Sequence, residues 1–462
     1  MANDFDIIVI GSGPAGQKAA VQGAKAGKRV ALIESDRYVG GHCVHKGTIP
    51  SKTLRENALR VSNLRHFSDL YSFNLREEIP MGSLISNLDK VIKSHDQYIQ
   101  KQIARNSIEF IHGRANFVDP HTVEIRSPGG ERSSISGDHF ILATGSYPRK
   151  ADGIPVDHEH VYDSDSILSI IYLPESLTVL GGGVIASEYA SIFQTLGTKV
   201  TMIDRYPTPL GFLDSDLTDR FVKDFEERGG RWIGNATVQN VAWDGVSHVV
   251  TELDNGEVVR SEKLLSAAGR IANVKGLDID KAGLAVNDAG VIPVDSHCKT
   301  QVDHIYAAGD VIGPPSLASA SMEQGRRASC SALGIDLEVM TDTLPMGIYG
   351  IPEMSAVGLS EKAAVEKHGS AVVGYASFEE IARGEISAIQ NGLLKLVADP
   401  QGETLVGAHI VGEGATELIH IAQMGLIYGA TIDSFVENIF NFPTLAEAYR
   451  VAALQIVGKR PA

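Results

Sequence analysis

The chain has 462 residues, of which 43% are hydrophobic and 21% charged, a composition typical of a globular protein in water. This length exceeds what a single hydrophobic core organises, so we expect two to four domains. The net charge of −16 argues against a surface for nucleic acid or anionic membranes, and no apolar run approaches the roughly 20 residues of a membrane helix.

The first residues also bear on location. Residues 1–6 carry acids where a secretory signal needs basic charge, and only a short apolar run follows them. The three cysteines, Cys43, Cys298 and Cys330, are few and unevenly spaced, so they predict no disulfide framework. We therefore expect a cytoplasmic protein.

The N-terminal stretch predicts a dinucleotide-binding β-α-β unit. Residues 6–10 are an apolar, β-branched run typical of a buried parallel strand, and the Ala-rich residues 17–26 predict the following helix. Between them stand the glycines of a GxGxxG fingerprint, Gly11, Gly13 and Gly16. The first permits a tight turn, the second lets the backbone approach a pyrophosphate, and the third allows close helix packing. Glu34 ends the second strand, 23 residues after the first glycine, where it can accept from a ribose hydroxyl. The alternative is a purely structural glycine turn.

Residues 40–52, close after this fingerprint, contain a cysteine. Two glycines lead into Cys43, and Lys52 closes the stretch. Thr48 stands five residues after the cysteine, so the stretch holds one thiol and cannot form an internal disulfide. Free cysteines are often buried and inert, so we expect Cys43 to be a packed residue rather than a nucleophile.

A second fingerprint repeats the unit. Residues 176–180 predict a strand, and the helix is expected over 187–197. The turn between them carries Gly181, Gly183 and, in the third glycine's place, Ala186. Asp204 follows the next strand at the same 23-residue spacing, and Arg205 comes directly after it. The acid favours a 2′-hydroxyl, whereas the arginine can contact a 2′-phosphate, so NAD selectivity and dual use both stay open.

Three later strands end in small-residue turns. Residues 140–145 end in Gly145, and residues 264–269 repeat this pattern before Arg270. Residues 304–310 end in Asp310, which can accept from a ribityl hydroxyl or instead form an Asx turn or helix cap. From about residue 341 strands and helices alternate without a phosphate loop, which predicts an α+β unit with a support or interface role.

Taken together, these motifs resemble the class I pyridine nucleotide–disulfide oxidoreductases over nearly the full chain. The ordered matches are Gly11-x-Gly13-x-x-Gly16, Gly40-Gly41-x-Cys43, Pro50-Ser51-Lys52, Ala143-Thr144-Gly145, the second fingerprint with Glu188, and Tyr306-Ala307-x-Gly309-Asp310. The resemblance implies an α/β fold with two nested Rossmann-like domains, for FAD and for NAD(P), and a C-terminal α+β dimerisation domain. We expect the FAD-binding domain at 1–150 and 271–340, the NAD(P)-binding domain at 151–270, and the dimerisation domain at 341–462.

The resemblance also assigns site residues. Lys52 and Glu188 match family positions that meet near the flavin N5 and are the catalytic candidates; the alternative is an ordinary buried ion pair. The implied dinucleotide contacts are Gly11, Gly13, Gly16, Glu34, Ser35, Gly40, Gly41, Cys43, Thr48, Lys52, Ala115, Gly145, Asp310 and Ala318 for the flavin nucleotide, and Gly181, Gly183, Ala186, Glu188, Asp204, Arg205, Gly269 and Arg270 for the pyridine nucleotide. No metal site is expected.

Two positions depart from the disulfide reductases of this family. Thr48 replaces the second cysteine, and Phe442 stands where those enzymes place the histidine that pairs with a glutamate, here Glu447. The thiol relay and its acid–base partner are therefore missing together, which suggests a member that does not use disulfide chemistry.

One branch of the family, the soluble (Si-specific) pyridine nucleotide transhydrogenases, is similar at residues 47–52, 351–353, 417–421 and 443–453. That branch implies hydride transfer from NADPH to NAD⁺, and the reverse, through FAD by a ping-pong mechanism. The partners would then be dinucleotides and a second copy of the chain in a homodimer or higher homo-oligomer. An NAD(P)H diaphorase or quinone reductase and a non-catalytic flavoprotein are the alternatives.

Overall fold

The computed structural model describes residues 3–66, 81–338, 343–389 and 391–461. Its first region supplies most of a seven-stranded sheet. It contributes six strands to that sheet, β1 (Phe5–Ile10), β2 (Val30–Glu34), β3 (Glu109–His112), β4 (Arg114–Asp119), β5 (Thr122–Arg126) and β6 (Arg132–Leu142). A further short strand, β7 (Ser146–Pro148), belongs to a separate two-stranded sheet. The helices are α1 (Pro14–Lys25), α2 (Gly41–His45), α3 (Thr48–His66) and α4 (Met81–Arg105). Residues 55–110 are polar and helical in sequence pattern, and residues 67–80 of this stretch lie outside the described residues.

Strand β1 occupies the middle of this sheet, whose order is β3-β2-β1-β6-β5-β4. It pairs in parallel with β2 and β6, so that Ile8 lies between Ala31 and Phe140. Ile7, Ile8 and Val9 are completely buried because side chains on both faces of the strand are covered. This double covering explains why the sequence shows an unbroken apolar run there.

The second region forms a smaller parallel sheet of five strands, in the order β11-β10-β9-β15-β8. Its strands and those of an attached three-stranded antiparallel sheet are β8 (Val161–Asp163), β9 (Ser176–Leu180), β10 (Lys199–Ile203), β11 (Arg231–Ile233), β12 (Val238–Trp243), β13 (Val249–Leu253), β14 (Val258–Ser261) and β15 (Lys263–Ser266). The helices are α5 (Val184–Leu196) and α6 (Ser215–Glu227).

The chain then returns to the first sheet. Strand β16 (Arg270–Ala272) pairs antiparallel with β7, so the segments entering and leaving the second region lie side by side. Strand β17 (Ile305–Ala307) pairs with β6, and α7 (Ala318–Ala332) packs on α1. This return path nests the second region within the first.

The C-terminal region is an antiparallel sheet with helices, ordered β18-β19-β22-β21-β20. Its elements are β18 (Met346–Ile348), β19 (Met354–Gly358), α8 (Glu361–His368), β20 (Val372–Ser377), α9 (Ala382–Ile386), β21 (Leu393–Ala398), β22 (Leu405–Val411), α10 (Ala415–Ile427), α11 (Ile432–Glu437) and α12 (Glu447–Val457). The predicted fold class, two Rossmann-like units with a C-terminal α+β unit, is confirmed. Within the described ranges, no helix combines the length and apolar character needed to cross a membrane.

Candidate functional site

The first fingerprint forms a turn that only glycine allows. Gly11 has φ +103°, and a Cβ there would lie 2.3 Å from the Ala143 carbonyl oxygen. A Cβ on Gly16 would lie 1.8 Å from the Gly11 oxygen, so the helix could not approach the strand. Gly13 instead faces open space, with nothing within 4 Å of its Cβ direction. The turn therefore leaves room beside the start of α1, where unpaired N–H groups favour a phosphate.

The segment around Cys43 is packed directly onto this turn. A Cβ on Gly41 would lie 2.9 Å from the Gly13 Cα, and the Gly40 N–H donates to the Ser12 hydroxyl at 3.0 Å. Gly40 and Gly41 have φ values of +117° and +60°, which favour glycine. The Ser12 hydroxyl also donates to Glu34 Oε2 at 2.6 Å. Hydrogen bonds therefore connect the first fingerprint, Glu34 and the segment that carries Cys43.

The second fingerprint has the same construction. Gly181 has φ +117° and lies against the Ala267 carbonyl oxygen, while Gly183 faces open space. Ala186 is fully buried in the first turn of α5. The Asp204 carboxylate accepts from the Gly182 and Tyr206 N–H groups, which fix it at the end of β10.

Arg205 lies on a neighbouring aromatic ring. Its guanidinium carbon is 4.9 Å from the centroid of the Tyr206 ring, and Nη2 donates to the Tyr206 hydroxyl at 3.1 Å. No ion pair to Asp204 is formed within the described part of the chain. The cation therefore stays available beside the acid.

Lys52 and Glu188 are brought together from α3 and α5. Lys52 Nζ lies 2.6 Å from Glu188 Oε2, and the glutamate side chain is 5% exposed against 25% for the lysine. Glu188 Oε1 accepts the Tyr349 N–H at 2.9 Å, and the ammonium lies 4.8 Å from the centroid of the Tyr349 ring. Each oxygen of the Glu188 carboxylate thus has a partner, while a quarter of the Lys52 side chain is exposed.

Thr48 contacts Cys43 through its side chain. Burial raises the pKa of the Cys43 thiol, and the Thr48 hydrogen bond and the Lys52 charge offset only part of that rise. The thiol therefore stays protonated at neutral pH and is a poor nucleophile. Cys298 and Cys330 are free and buried, and burial raises their pKa values too.

A polar network links the thiol segment to the second region. Asp165 accepts from His42 Nε2 at 2.7 Å and from Arg270 Nη1 at 2.9 Å. Arg270 Nε also donates to the Ser146 hydroxyl at 2.9 Å, and that hydroxyl donates to Asp310 Oδ2 at 2.6 Å. Burial alone would raise the pKa of Asp165, but its bonds to the imidazole and guanidinium outweigh burial and lower it. Asp310 therefore binds a side chain rather than capping a helix with its carboxylate.

The remaining predicted residues make fewer contacts than those described above. Ser35 donates to Glu34 Oε1 at 3.2 Å, and Ala318 begins α7. Gly145 and Gly269 have positive φ and open space in their Cβ directions. Ala115 is buried within β4, and only its backbone could form a polar contact with a ligand.

The residues present fit two dinucleotides. Gly13 and Gly183 each face open space at the start of a helix, and each fingerprint ends at a carboxylate held by backbone N–H groups. The Thr144 hydroxyl, beside Gly145, is buried and has no hydrogen-bond partner among the residues that the structure describes. A buried polar atom of this kind fits a ligand group at that position.

Sequence reasoning missed several members of this site. His42, Ser146, Asp165 and Tyr349 carry contacts described above but belong to no spacing motif. The signal available for Ser146 was its place directly after a small-residue turn. Tyr349 lies two residues before the 351–353 stretch noted above, yet nothing in that stretch predicts its contact with Lys52.

Comparison with known proteins gives the family. A family model described as pyridine nucleotide-disulphide oxidoreductase matches residues 5–325, and the dimerisation domain of the same family matches residues 344–453. A soluble pyridine nucleotide transhydrogenase of Mycobacterium bovis is 40% identical over 461 residues, covering 99% of this chain and 98% of the relative. The protein of that name from Colwellia psychrerythraea is also 40% identical, covering 98% of this chain and 97% of the relative.

Solved structures agree. LpdA from Mycobacterium tuberculosis superposes with a TM-score of 0.90 at 26% identity, covering 98% of this chain and 99% of that chain. The Escherichia coli flavoprotein disulfide reductase RclA, in a Cu(II) complex, gives 0.89 at 28% identity, covering 98% and 99%. The chain therefore belongs to the pyridine nucleotide-disulphide oxidoreductase family.

Proposed function

We propose that this protein is an FAD-dependent, Si-specific transhydrogenase that passes hydride between NADPH and NAD⁺ by a ping-pong mechanism without a redox disulfide. The observation that carries the proposal is that Cys43 is a free thiol and that threonine, Thr48, stands five residues after it. A hydroxyl occupies the place where an internal disulfide would need a second sulfur, and all three cysteines are free. Relatives named soluble pyridine nucleotide transhydrogenase match almost the whole chain, which supports the same activity here.

Family membership implies FAD as cofactor and NAD(P)H as substrate. When bound, the flavin supplies a group that accepts and returns a hydride. Residues around the first fingerprint, Glu34 and Asp310 would hold the FAD, and residues around the second fingerprint would hold the pyridine nucleotide. We assign residues 1–150 and 271–340 to the first domain, 151–270 to the second, and 341–462 to dimerisation.

Lys52 is the residue that we assign to charge stabilisation. Its ammonium is held by a buried carboxylate while 25% of the lysine side chain is exposed, and its charge acts on the Cys43 thiol, whose pKa it lowers against the larger effect of burial. Preorganised charge of this kind stabilises negative charge that develops on a bound group. Glu188 positions the ammonium, and the Tyr349 N–H holds Glu188 in turn.

No side chain is needed to carry a proton between the two half-reactions, because the hydride that arrives is the hydride that leaves. Phe442, at the position of the reductases' histidine, is 75% exposed and has no acid–base function. Glu447, the first residue of α12, accepts the Thr444 N–H at 3.2 Å, a local contact within the segment that leads into the helix. The geometry therefore supports a reaction that lacks the thiol relay.

The C-terminal region is the surface that we assign to a homodimer. Tyr428, Ile439 and Phe442 are large apolar side chains exposed by 78%, 91% and 75% in the single chain. Apolar exposure of this size is typical of a protein–protein contact. The family's dimerisation domain matches this region, and the relatives' description as soluble supports a cytoplasmic location.

A panel of electron acceptors tests the proposal. Purified holoenzyme and NADPH would be mixed with thio-NAD⁺, a quinone or a low-molecular-weight disulfide, and each turnover rate would be measured. We expect thio-NAD⁺ to be reduced fastest and the disulfide not to be reduced. Faster quinone reduction would make the protein a diaphorase, and disulfide reduction would contradict the assignment made to Thr48.

A further inference from the structure

Tyr349 is the residue that touches both members of the Lys52–Glu188 pair. Its N–H donates to Glu188 Oε1 at 2.9 Å, while its ring lies 4.8 Å from Lys52 Nζ. The ammonium has three donors; Glu188 accepts one at 2.6 Å, and the Ser51 hydroxyl offers a weak contact at 3.4 Å. The ring face therefore limits where the rest of the ammonium can turn.

The Tyr349 ring is itself held from the C-terminal region. Its hydroxyl interacts with Thr416, at the start of α10. The Thr416 hydroxyl donates to Glu353 Oε1 at 2.6 Å, and Glu353 Oε2 lies 2.9 Å from Arg55 Nη2. Burial raises the pKa of the Tyr349 phenol, more than the Thr416 bond lowers it, so the ring stays neutral.

These contacts close a circuit on one helix. Arg55 lies three residues after Lys52 on α3, and its Nε donates to the Gly350 carbonyl oxygen at 3.0 Å. Arg55 and Glu353 are both less than a tenth exposed, so the circuit is anchored by a buried ion pair. Lys52 and Arg55, one turn apart on α3, thus both contact the segment 349–353.

We propose that Tyr349 is a positioning residue that fixes the Lys52 ammonium, so that the C-terminal region sets the charge beside the cofactor. The inference rests on the proposed function, in which Lys52 faces the flavin. The backbone N–H of Tyr349 binds the Glu188 carboxylate, whereas its aromatic face contacts the Lys52 ammonium. A side-chain substitution therefore separates the two contacts, because it removes the ring and leaves the N–H in place.

The test is the midpoint potential of the bound flavin in the holoenzyme, measured by anaerobic redox titration at one pH. The variants are Tyr349→Leu, Tyr349→Phe, Lys52→Met and the double variant Tyr349→Leu/Lys52→Met. Phenylalanine keeps the ring face and loses only the hydroxyl contact with Thr416. Thermal unfolding of each variant is recorded in parallel.

We expect Lys52→Met to lower the midpoint potential, because a cation that favours reduction is lost. Tyr349→Leu should lower the potential by part of that shift, and Tyr349→Phe, which keeps the ring face but loses the Thr416 contact, should lower it by less than Tyr349→Leu does. In the Lys52→Met background, Tyr349→Leu should cause no further shift. A merely structural role would lower thermal stability in both backgrounds without this dependence on the lysine.

Two results would overturn the inference: an unchanged potential in Tyr349→Leu, or an equal shift with and without the lysine. An unchanged potential in Lys52→Met would overturn it as well, since Tyr349 is argued to act through that ammonium. Failure of the proposed function is seen separately, as wild-type protein that does not reduce thio-NAD⁺. The potential is read without any second nucleotide, so the two failures are distinguishable.

Discussion

Replacing Lys395 by methionine removes the cation of an ionic cluster between the second and C-terminal regions, in which the lysine and one of its three carboxylate partners are buried. Its ammonium lies 2.9 Å from Asp214, 2.6 Å from Asp216 and 2.6 Å from Glu361, and the lysine side chain is 1% exposed. Asp214 is 4% exposed and caps α6 by accepting the Asp216 N–H. Methionine fills a similar volume but leaves this buried carboxylate without its counter-charge.

The cost follows from burial. Removing one partner of a buried ion pair costs about 3–5 kcal/mol. The other two carboxylates are 39% and 41% exposed, so each lost pair adds only about 0–1 kcal/mol after solvent screening. The total is about 3–7 kcal/mol, so with a urea dependence of about 2 kcal/mol per molar the midpoint of unfolding should fall by roughly 1.5–3.5 M at pH 7.

Tryptophan fluorescence can follow the unfolding of the region that this substitution affects. The only two tryptophans, Trp232 and Trp243, both lie in the second region, which Asp214 joins to the C-terminal region. Urea unfolding of the holoenzyme followed by tryptophan emission therefore measures the stability of that part. The matched control is Lys395→Met/Asp214→Asn, which removes the stranded charge and keeps a capping side chain.

The pH dependence gives a second check. Burial alone would raise the pKa of Asp214, but bonds from Lys395 and the Glu361 N–H outweigh it and lower the pKa. In the wild type this carboxylate therefore stabilises the fold above pH about 4, and that contribution is lost as the pH falls. Without the lysine, burial should raise the pKa, so the penalty in Lys395→Met should shrink as the pH falls below about 5. A penalty under about 1 kcal/mol at pH 7, or no relief in the control, would refute this reasoning.

Three further changes have defined outcomes. Gly325→Ala would bring a Cβ within 2.0 Å of the Ala15 carbonyl oxygen in α1, so we expect about 1–3 kcal/mol of destabilisation and a lower flavin-to-protein ratio. Gly211→Ala is the control, because a Cβ there meets nothing within 4 Å and should change neither quantity. Arg205→Ala should raise KM for NADPH about tenfold or more and leave KM for NADH unchanged, and an unchanged NADPH rate would rule out its phosphate contact. Asp165→Asn should lower the thermal midpoint, and because this aspartate's pKa is lowered, the difference from wild type should shrink as the pH falls below about 4, which melting curves from about pH 2 to 8 would show.

The glycine turns were predictable from sequence because their constraints are local. Gly11 and Gly181 need positive φ and close backbone contact, and both needs are visible in the spacing of neighbouring residues. Pairing of Lys52 with Glu188 spans 136 residues, and only the family resemblance suggested it. Lys395 was not predicted at all, because a lysine in an apolar strand gives no sign of three acids from distant elements.

The Asp165 network illustrates the same limit. Its partners come from α2 and from β16, 123 and 105 residues away along the chain. No periodicity or motif joins residues at such separations, and the contact exists only because β7 and β16 pair where the second region is entered and left. Tertiary packing, rather than local spacing, determines this part of the site.

Anaerobic mixing of the holoenzyme with NADPH and thio-NAD⁺ tests the central claim most directly. Formation of thio-NADH would be followed by its absorbance while the concentrations of both nucleotides are varied. The account predicts rapid, flavin-dependent hydride transfer with parallel lines in double-reciprocal plots. Loss of flavin absorbance with NADPH that thio-NAD⁺ cannot restore would contradict it.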